Sequence, residues 1–296
     1  MNDQDWLAER FEQHRSRLRG VSYRMLGSAS EADDAVQEAW LRFSSADTSQ
    51  VDNLGAWLTT VVARICLNTL RSRGTRREEP IDSHLPDPII SAVDALSPEH
   101  EALIGDSVGL AMLVVLDTLA PAERLAFVLH DVFDVPFEQI ASIIDRSEPA
   151  TRQLASRARR RLSTTPTPDT DVAAQWELVD AFLAAAREGD FEALLKVLDP
   201  DVVRRVDAGA TGPSGILRGA QALASGAISF QALGLVSRRV LVNGAPGVLT
   251  FADGEPFTLV GFTVAGGRIV EMNILADQAR LRHLDLSVPA AGRTSG

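Results

Sequence analysis

Phe137-Glu138-Gln139-Ile140-Ala141-Ser142-Ile143-Ile144, then Asp145-Arg146-Ser147-Glu148, then Pro149-Ala150-Thr151-Arg152-Gln153, form one continuous stretch of this chain. Its apolar spacing predicts a short helix over 137–144, a turn over 145–148 and a second helix from Pro149 to Leu162. Ala141 is small where two helices must approach closely. Asp145 stands where such a turn needs a left-handed residue, usually Gly and acceptably Asp. Ser147 suits the cap of the following helix and Pro149 its first turn. This pattern is that of a helix-turn-helix.

Upstream, Pro121-Ala122-Glu123-Arg124 opens a helix containing Leu125, Phe127, Val128 and Leu129, and Asp134 and Pro136 mark the turn after it. In a helix-turn-helix that binds DNA, the start of the second helix enters the major groove. Here those positions are Ser147, Glu148, Ala150, Thr151, Arg152 and Gln153, with Arg157, Arg159, Arg160 and Arg161 placed to follow phosphates. Helical hairpins with no such role share the pattern, so the arginines carry the DNA reading.

The chain has a net charge of −11, which taken as a sum argues against nucleic-acid binding. Its distribution argues otherwise. Five arginines and no acid lie between Arg64 and Arg77, and five more with no acid between Arg152 and Arg161. Two basic stripes in an acidic chain imply local DNA contacts without general adhesion.

Nearer the N-terminus, Ser30 and Asp33 resemble a capping box. Ala32, Ala35, Val36, Ala39, Trp40 and Phe43 then recur at helical spacing and predict a buried stripe. Asp34, Gln37, Glu38 and Leu41 share another face, either a solvated surface or a docking one. A second helix spans about Gly55 to Arg73, with Leu58, Val61, Val62 and Ile65 on its core side. Trp57, Val61, Arg64, Asn68 and Arg71 share a face, and Arg73 closes the helix. Arginines beside an aromatic suit phosphates and an unstacked base, although a solvated basic helix end has the same composition.

The 296 residues and an apolar fraction of 45% allow several cores. The expected divisions are 1–77 all-helical, 78–96 a linker marked by Pro80, Pro86 and Pro88, and 97–163 all-helical. A short second linker follows, then an α+β domain over 172–285 and a disordered tail over 286–296. No apolar run reaches the roughly 18 residues of a membrane span. The acidic first residues do not resemble a secretory signal. Cys66 is the only cysteine. It excludes internal disulfides and multi-cysteine zinc sites, fits a cytoplasmic location, and reads as a buried small hydrophobe.

Residues 6–163 resemble the sigma-70 family, specifically its extracytoplasmic-function group. The resemblance rests on Ala32 through Leu41, on Ala56-Trp57-Leu58 with Arg64, Asn68 and Leu70-Arg71-Ser72-Arg73, on Phe137 through Ala141, and on Ala155 through Leu162. It implies that Asp34, Gln37, Glu38 and Leu41 meet core RNA polymerase. Trp57, Arg64, Asn68, Arg71 and Arg73, with the loop Ser44 to Leu54, would read and melt the minus-ten element of promoter DNA. Ser147, Glu148, Thr151, Arg152, Gln153, Arg157 and Arg160 would read the minus-thirty-five element. Thr151 stands where the family commonly has an aliphatic residue.

Residues 172–285 resemble the SnoaL-like cone fold, opening with Phe182 through Leu195, with strands expected over 234–243, 247–253, 256–265 and 268–275. Such a fold makes a pocket, and catalysis there would need a base and an acid. Asp207, Asp253 and Asp277 are available carboxylates, each with an ordinary surface or turn reading, so no enzyme activity, cofactor or metal is expected. A subgroup of these sigma factors carries the same extension and uses it for control. Its linker signature stands here as His84-Leu85-Pro86-Asp87-Pro88, its glycine-rich motif as Asp207-Ala208-Gly209-Ala210, and a later motif as Leu275-Ala276-Asp277-Gln278. His84, Pro86, Asp87, Asp207 and Asp277 are therefore the regulatory candidates, through a small-molecule or intramolecular contact of the C-terminal domain. The rival functions are a helix-turn-helix regulator with a ligand-sensing domain and a SnoaL-like isomerase. Copurification with core polymerase separates them from a sigma factor.

Overall fold

The computed structural model describes residues 3–47, 51–76, 84–93, 109–231 and 233–284. The chain divides into two compact units. One holds the described residues up to Arg76 and those from Met112 to Thr165. The other holds residues 84–93, 109–111 and those from Pro166 onward. The tail over 286–296 and, within the 78–96 segment, residues 78–83 and 94–96 lie outside the described residues.

The first unit is helical: α1 (Asp3–Leu26), α2 (Ala29–Ser45), α3 (Leu54–Arg76), α4 (Leu110–Asp117, from Met112 on), α5 (Pro121–Phe127), α6 (Phe137–Ile144) and α7 (Glu148–Leu162). Helix α2 begins one residue before Ser30, behind Ser28, so Ser30 is not the cap; the Ala32 amide already bonds the Ser28 carbonyl at 3.0 Å. Ala32, Ala35, Val36, Ala39 and Phe43 are buried as the spacing predicts, and Trp40 is half-buried. Helix α5 continues into a π-helical turn, Val128–Val132, which Asp134 leaves with φ 55°. Asp145 takes the left-handed conformation (φ 56°, ψ 56°) that closes α6, and the Ser147 hydroxyl caps α7 by accepting from the Ala150 amide at 3.4 Å.

The helix-turn-helix packs within the same unit as α1 and α3. The buried Arg124 of α5 donates from Nε to the Arg24 carbonyl of α1 at 2.9 Å and from Nη1 to Asp117 at 2.9 Å. Burial lowers its pKa, and the Asp117 carboxylate acts against that shift. Cys66 is fully buried, and burial pushes its thiol up to about 12, which suits packing and not reactivity.

The second unit is α+β. Helices α8 (Val172–Glu188), α9 (Phe191–Val197) and α10 (Ala220–Gln231) accompany a seven-stranded sheet, and α11 (Gln278–His283) follows its last strand. The strands are β1 (Ile90–Ser91), β2 (Leu198–Asp207), β3 (Gly215–Arg218), β4 (Val236–Val242), β5 (Ala245–Ala252), β6 (Glu255–Ala265) and β7 (Arg268–Leu275), in the order β1-β4-β5-β6-β7-β2-β3. Among the described residues only the β2–β7 pair is parallel. Asp171 and Asp190 cap α8 and α9. Trp176, Val179, Phe182, Leu194, Phe262 and Ile269 belong to the core that joins helices to sheet.

Strand β2 pairs with β7 at Leu198 and again from Val203 to Asp207, with a register shift between. One feature departs from the sequence reading. The segment read as a linker is, over residues 84–93, an extended strap whose Ile90 and Ser91 pair with Val242 and Leu241. Leu85, Pro86, Pro88 and Ile89 are buried, which gives this piece an apolar reason to stay on the sheet.

Candidate functional site

Helix α2 turns Ala35, Val36 and Ala39 inward, so Asp34, Gln37, Glu38 and Leu41 all face solvent. Leu41 is 59% exposed, an apolar residue set within a polar stripe. Glu38 pairs with Arg42 on the same helix.

On α3, Arg64, Asn68 and Arg71 are exposed, and Trp57 is half-buried with its ring 6.2 Å from that of Phe43. Arg71 and Asn68 have no side-chain partner among the described residues. Arg73 is different: its Nη1 donates to the Leu26 carbonyl at 3.1 Å and its Nη2 pairs with Glu31, so it ties α3 to α1 and α2 instead of presenting a free cation. The loop expected to accompany this helix, 44–54, falls partly outside the described residues.

One flank of α3 is covered by the helix-turn-helix. Gln139 of α6 donates to the Ala56 carbonyl and the Thr60 hydroxyl, both at 3.1 Å. Arg64 reaches the Ser142 carbonyl at 3.5 Å, a long and weak contact.

On α7, Arg152, Gln153, Arg157 and Arg160 are exposed. Arg152 lies 4.7 Å from the Phe137 ring centre and donates to Glu148 at 2.5 Å, which holds both side chains at the helix start. Arg157 lies a distant 3.9 Å from Glu123. Arg159 and Arg161 are engaged, with Asp131 at 2.5 Å and the Thr118 carbonyl at 3.0 Å, whereas Gln153 and Arg160 are free among the described residues. Thr151 corrects the sequence reading: it is fully buried, and its hydroxyl donates to the Ser147 carbonyl at 3.0 Å. It therefore seats α7 as the usual aliphatic residue would and cannot touch a base.

In the second unit, the regulatory candidates converge. Asp207 is buried, not on the surface as its ordinary reading holds. It accepts hydrogen bonds from the Leu85 amide at 2.9 Å, the Gly209 amide at 3.1 Å and Arg280 Nη1 at 2.6 Å, with His84 Nδ1 3.2 Å away. Burial alone would raise its pKa, but His84, the two amides and Arg280 outweigh it and hold the carboxyl well below the usual range. Arg280 also donates to the Leu85 carbonyl at 2.6 Å and to Asp87 at 2.5 Å. Asp277 caps α11 and so places Arg280, by accepting from the Ala279 and Arg280 amides at 2.9 and 3.2 Å. Gly209 (φ 62°) leaves room for it, since a Cβ there would meet Asp277 Oδ2 at 2.2 Å. Pro86 is buried beside Leu259 and Leu275. Asp253 sits with φ 51° on the β5–β6 turn, as its ordinary reading holds.

Arg280 and Asn243 escaped the sequence reading. Asn243, also at positive φ, exchanges bonds with Ile89 at 2.8 and 3.1 Å. The only local signal was Asn243-Gly244, which announces a turn and not a strap anchor; for Arg280 there was no signal beyond its place after Asp277.

The chain matches the Sigma-70 region 2 family over residues 10–76 and the Sigma-70, region 4 family over 110–162. It is 40% identical over 255 residues to the ECF RNA polymerase sigma factor SigJ of Mycobacterium tuberculosis H37Rv, covering 81% of this chain and 80% of that one. It is 34% identical over 288 residues to the probable ECF RNA polymerase sigma factor SigI of the same organism, covering 95% and 97%. The crystal structure of M. tuberculosis SigJ aligns with a TM-score of 0.77 at 32% identity, over 94% of this chain and 99% of that one. Among the described residues no helix is long and apolar enough to cross a membrane.

Proposed function

The chain belongs to the extracytoplasmic-function family of RNA polymerase sigma factors, and from that premise we propose which of its surfaces do the work. Asp34, Gln37, Glu38 and Leu41 dock on core polymerase. Trp57, Arg64, Asn68 and Arg71 read and open the minus-ten element of promoter DNA. Ser147, Glu148, Arg152, Gln153, Arg157 and Arg160 serve the minus-thirty-five element. The observation that carries this reading is that Arg71, Asn68, Gln153 and Arg160 stay exposed and without side-chain partners among the described residues, on the two helices where family and charge coincide. Arg73 and Thr151 leave the set, the first because it is paired, the second because it is buried.

The packing of α6 on α3 sets a condition. The two promoter elements lie about 25 base pairs apart, roughly 85 Å at 3.4 Å per pair. A compact unit of about 150 residues has a radius of gyration of about 15 Å. A closed helical unit therefore cannot hold both elements at once, and loading requires the helix-turn-helix to leave α3. The interface suits separation: besides apolar contacts it uses hydrogen bonds from Gln139 and Arg64 that water can replace.

The strap cluster of His84, Pro86, Asp87, Asp207 and Asp277, joined by Arg280, is the regulatory element. It fixes the segment between the two sigma regions onto the C-terminal domain, so that domain limits how freely the regions part. The protein acts in the cytoplasm, with polymerase. Run-off transcription with purified core polymerase tests the reading as a whole: transcripts should require this chain and should increase when the strap is released by Asp207→Asn. Failure to copurify with core polymerase and to initiate on any template would overturn it.

A further inference from the structure

Strand β2 presents its two faces to different surroundings. Arg205 and Asp207 lie on the strap side, where Arg205 pairs with Glu271. Arg204, one residue away, lies on the other face, beside Met272 in the register and on the wall of a cavity of about 150 Å³. Phe182, Leu223, Val248, Phe262, Met272 and Ile274 make most of that wall apolar. Its two hydroxyls, Thr250 and Thr258, bond each other at 2.7 Å, and the Thr258 amide donates to Thr250 at 3.1 Å. Arg204 has no hydrogen-bond or ion-pair partner among the described residues, and its Nε is buried.

Helix α10 makes room for this cation. Gly226 stands in the interior of α10, where glycine is less favourable than alanine. A Cβ there would come within 3.0 Å of Arg204 Nη1. A guanidinium partly withdrawn from water, uncompensated and given space at the expense of a helix, wants an anion. Among the described residues lining the cavity there is no Asp or Glu to serve, and no His, Tyr or Cys to carry proton transfer.

We propose that this cavity binds a small apolar carboxylate, its carboxylate on Arg204 and its body, the size of one ring or a short acyl chain, between α10 and the sheet. Guanidinium and carboxylate match in a two-pronged, charge-assisted pair. A cavity of about 150 Å³ with apolar walls accommodates a body of benzene size. The inference goes beyond the sigma-factor assignment and does not rest on it.

Calorimetric titration of the full chain at neutral pH tests it, using octanoate and phenylacetate against their neutral amides. The acids should bind at least about tenfold more tightly than the amides. Arg204→Met should abolish that preference while leaving amide binding in place, and Ala227→Leu, which fills the cavity, should weaken both. Equal binding of acid and amide, no binding of either at millimolar concentration, or a preference that survives in folded Arg204→Met would overturn the proposal. Should Arg204→Met not fold, the acid–amide comparison in the unaltered chain decides alone. No polymerase or DNA is present, so failure here leaves the transcription reading untouched.

Discussion

The helical unit and the sheet unit both pair arginines with carboxylates, and they differ in where an arginine is left without a partner. In the helical unit Arg24 and Arg124 are buried and bonded to carbonyls and Asp117, while Arg71 and Arg160 are exposed with no partner among the described residues. In the sheet unit Arg205 is tied to Glu271, Arg239 to Asp180 and Arg280 to Asp87 and Asp207, while Arg204 stands against a cavity with no partner among the described residues. The contrast separates three uses of one side chain. Paired and buried, it is structural; exposed and unpaired at helical spacing, it is the proposed phosphate contact; unpaired against a cavity, as in Arg204, it is the proposed anion site.

The largest expected effect tests the buried class. Arg124→Met leaves Asp117 and the Arg24 carbonyl without their donor, and removing one member of a buried charged set costs about 3 kcal/mol or more. Hydrogen exchange should show the loss of protection in α1, α5 and α7 and not in β4–β7. Equal loss in both units would break the comparison.

Arg280→Ala comes next. It removes bonds to Asp207, Asp87 and the Leu85 carbonyl from a half-buried site, at an expected cost of about 2 kcal/mol. The amides of Leu85 and Ile89 report on the strap. In Asp207→Asn the Leu85 amide should exchange faster and Ile89, held by Asn243, should change less. The sign with pH follows from the depressed Asp207 pKa. Its contribution is fully present above the unfolded value of about 3.9 and is lost as pH falls through the folded value below it. Acid should therefore release the strap only below about pH 4 on this group's account. Strap protection unaffected by either substitution would show that apolar burial alone holds the segment.

The smallest effects concern the exposed class. Arg71→Ala and Arg152→Ala should each weaken promoter binding or opening by about 1–3 kcal/mol, with little change in folding stability. A lost phosphate contact should also reduce the steepness of the salt dependence by about 0.9. Arg73→Ala should instead lower stability, since its bonds to Leu26 and Glu31 are internal. A pure DNA-binding defect in Arg73→Ala would move it back among the readers.

Much of the helical unit was legible because helices are read from nearest neighbours in sequence. The spacing of Ala35, Val36 and Ala39, the left-handed Asp145 and the Ser147 cap all act within about one turn, and the structure keeps them. Where a second residue intervened, the reading slipped. Ser30 lost the cap to Ser28, and Thr151, polar in sequence, is buried because its hydroxyl finds a carbonyl one turn back. The strap candidates His84, Asp87, Asp207 and Asp277 could be named from a resemblance, but their roles could not be told apart.

The chain's amino-acid order alone determined the two basic helices, the helix-turn-helix and the change after residue 172 to helices followed by strands, since periodicity, capping and charge runs are local properties. Only the tertiary structure decided that Arg280 would join Asp87 and Asp207, that α6 would cover α3, and that Arg204 would stand unpaired in a cavity. Those outcomes join residues up to 193 positions apart, as for Asp87 and Arg280. Side chains so far apart meet only because the sheet and the helix packing carry them together, and no local pattern records which of many arginines will find a carboxylate.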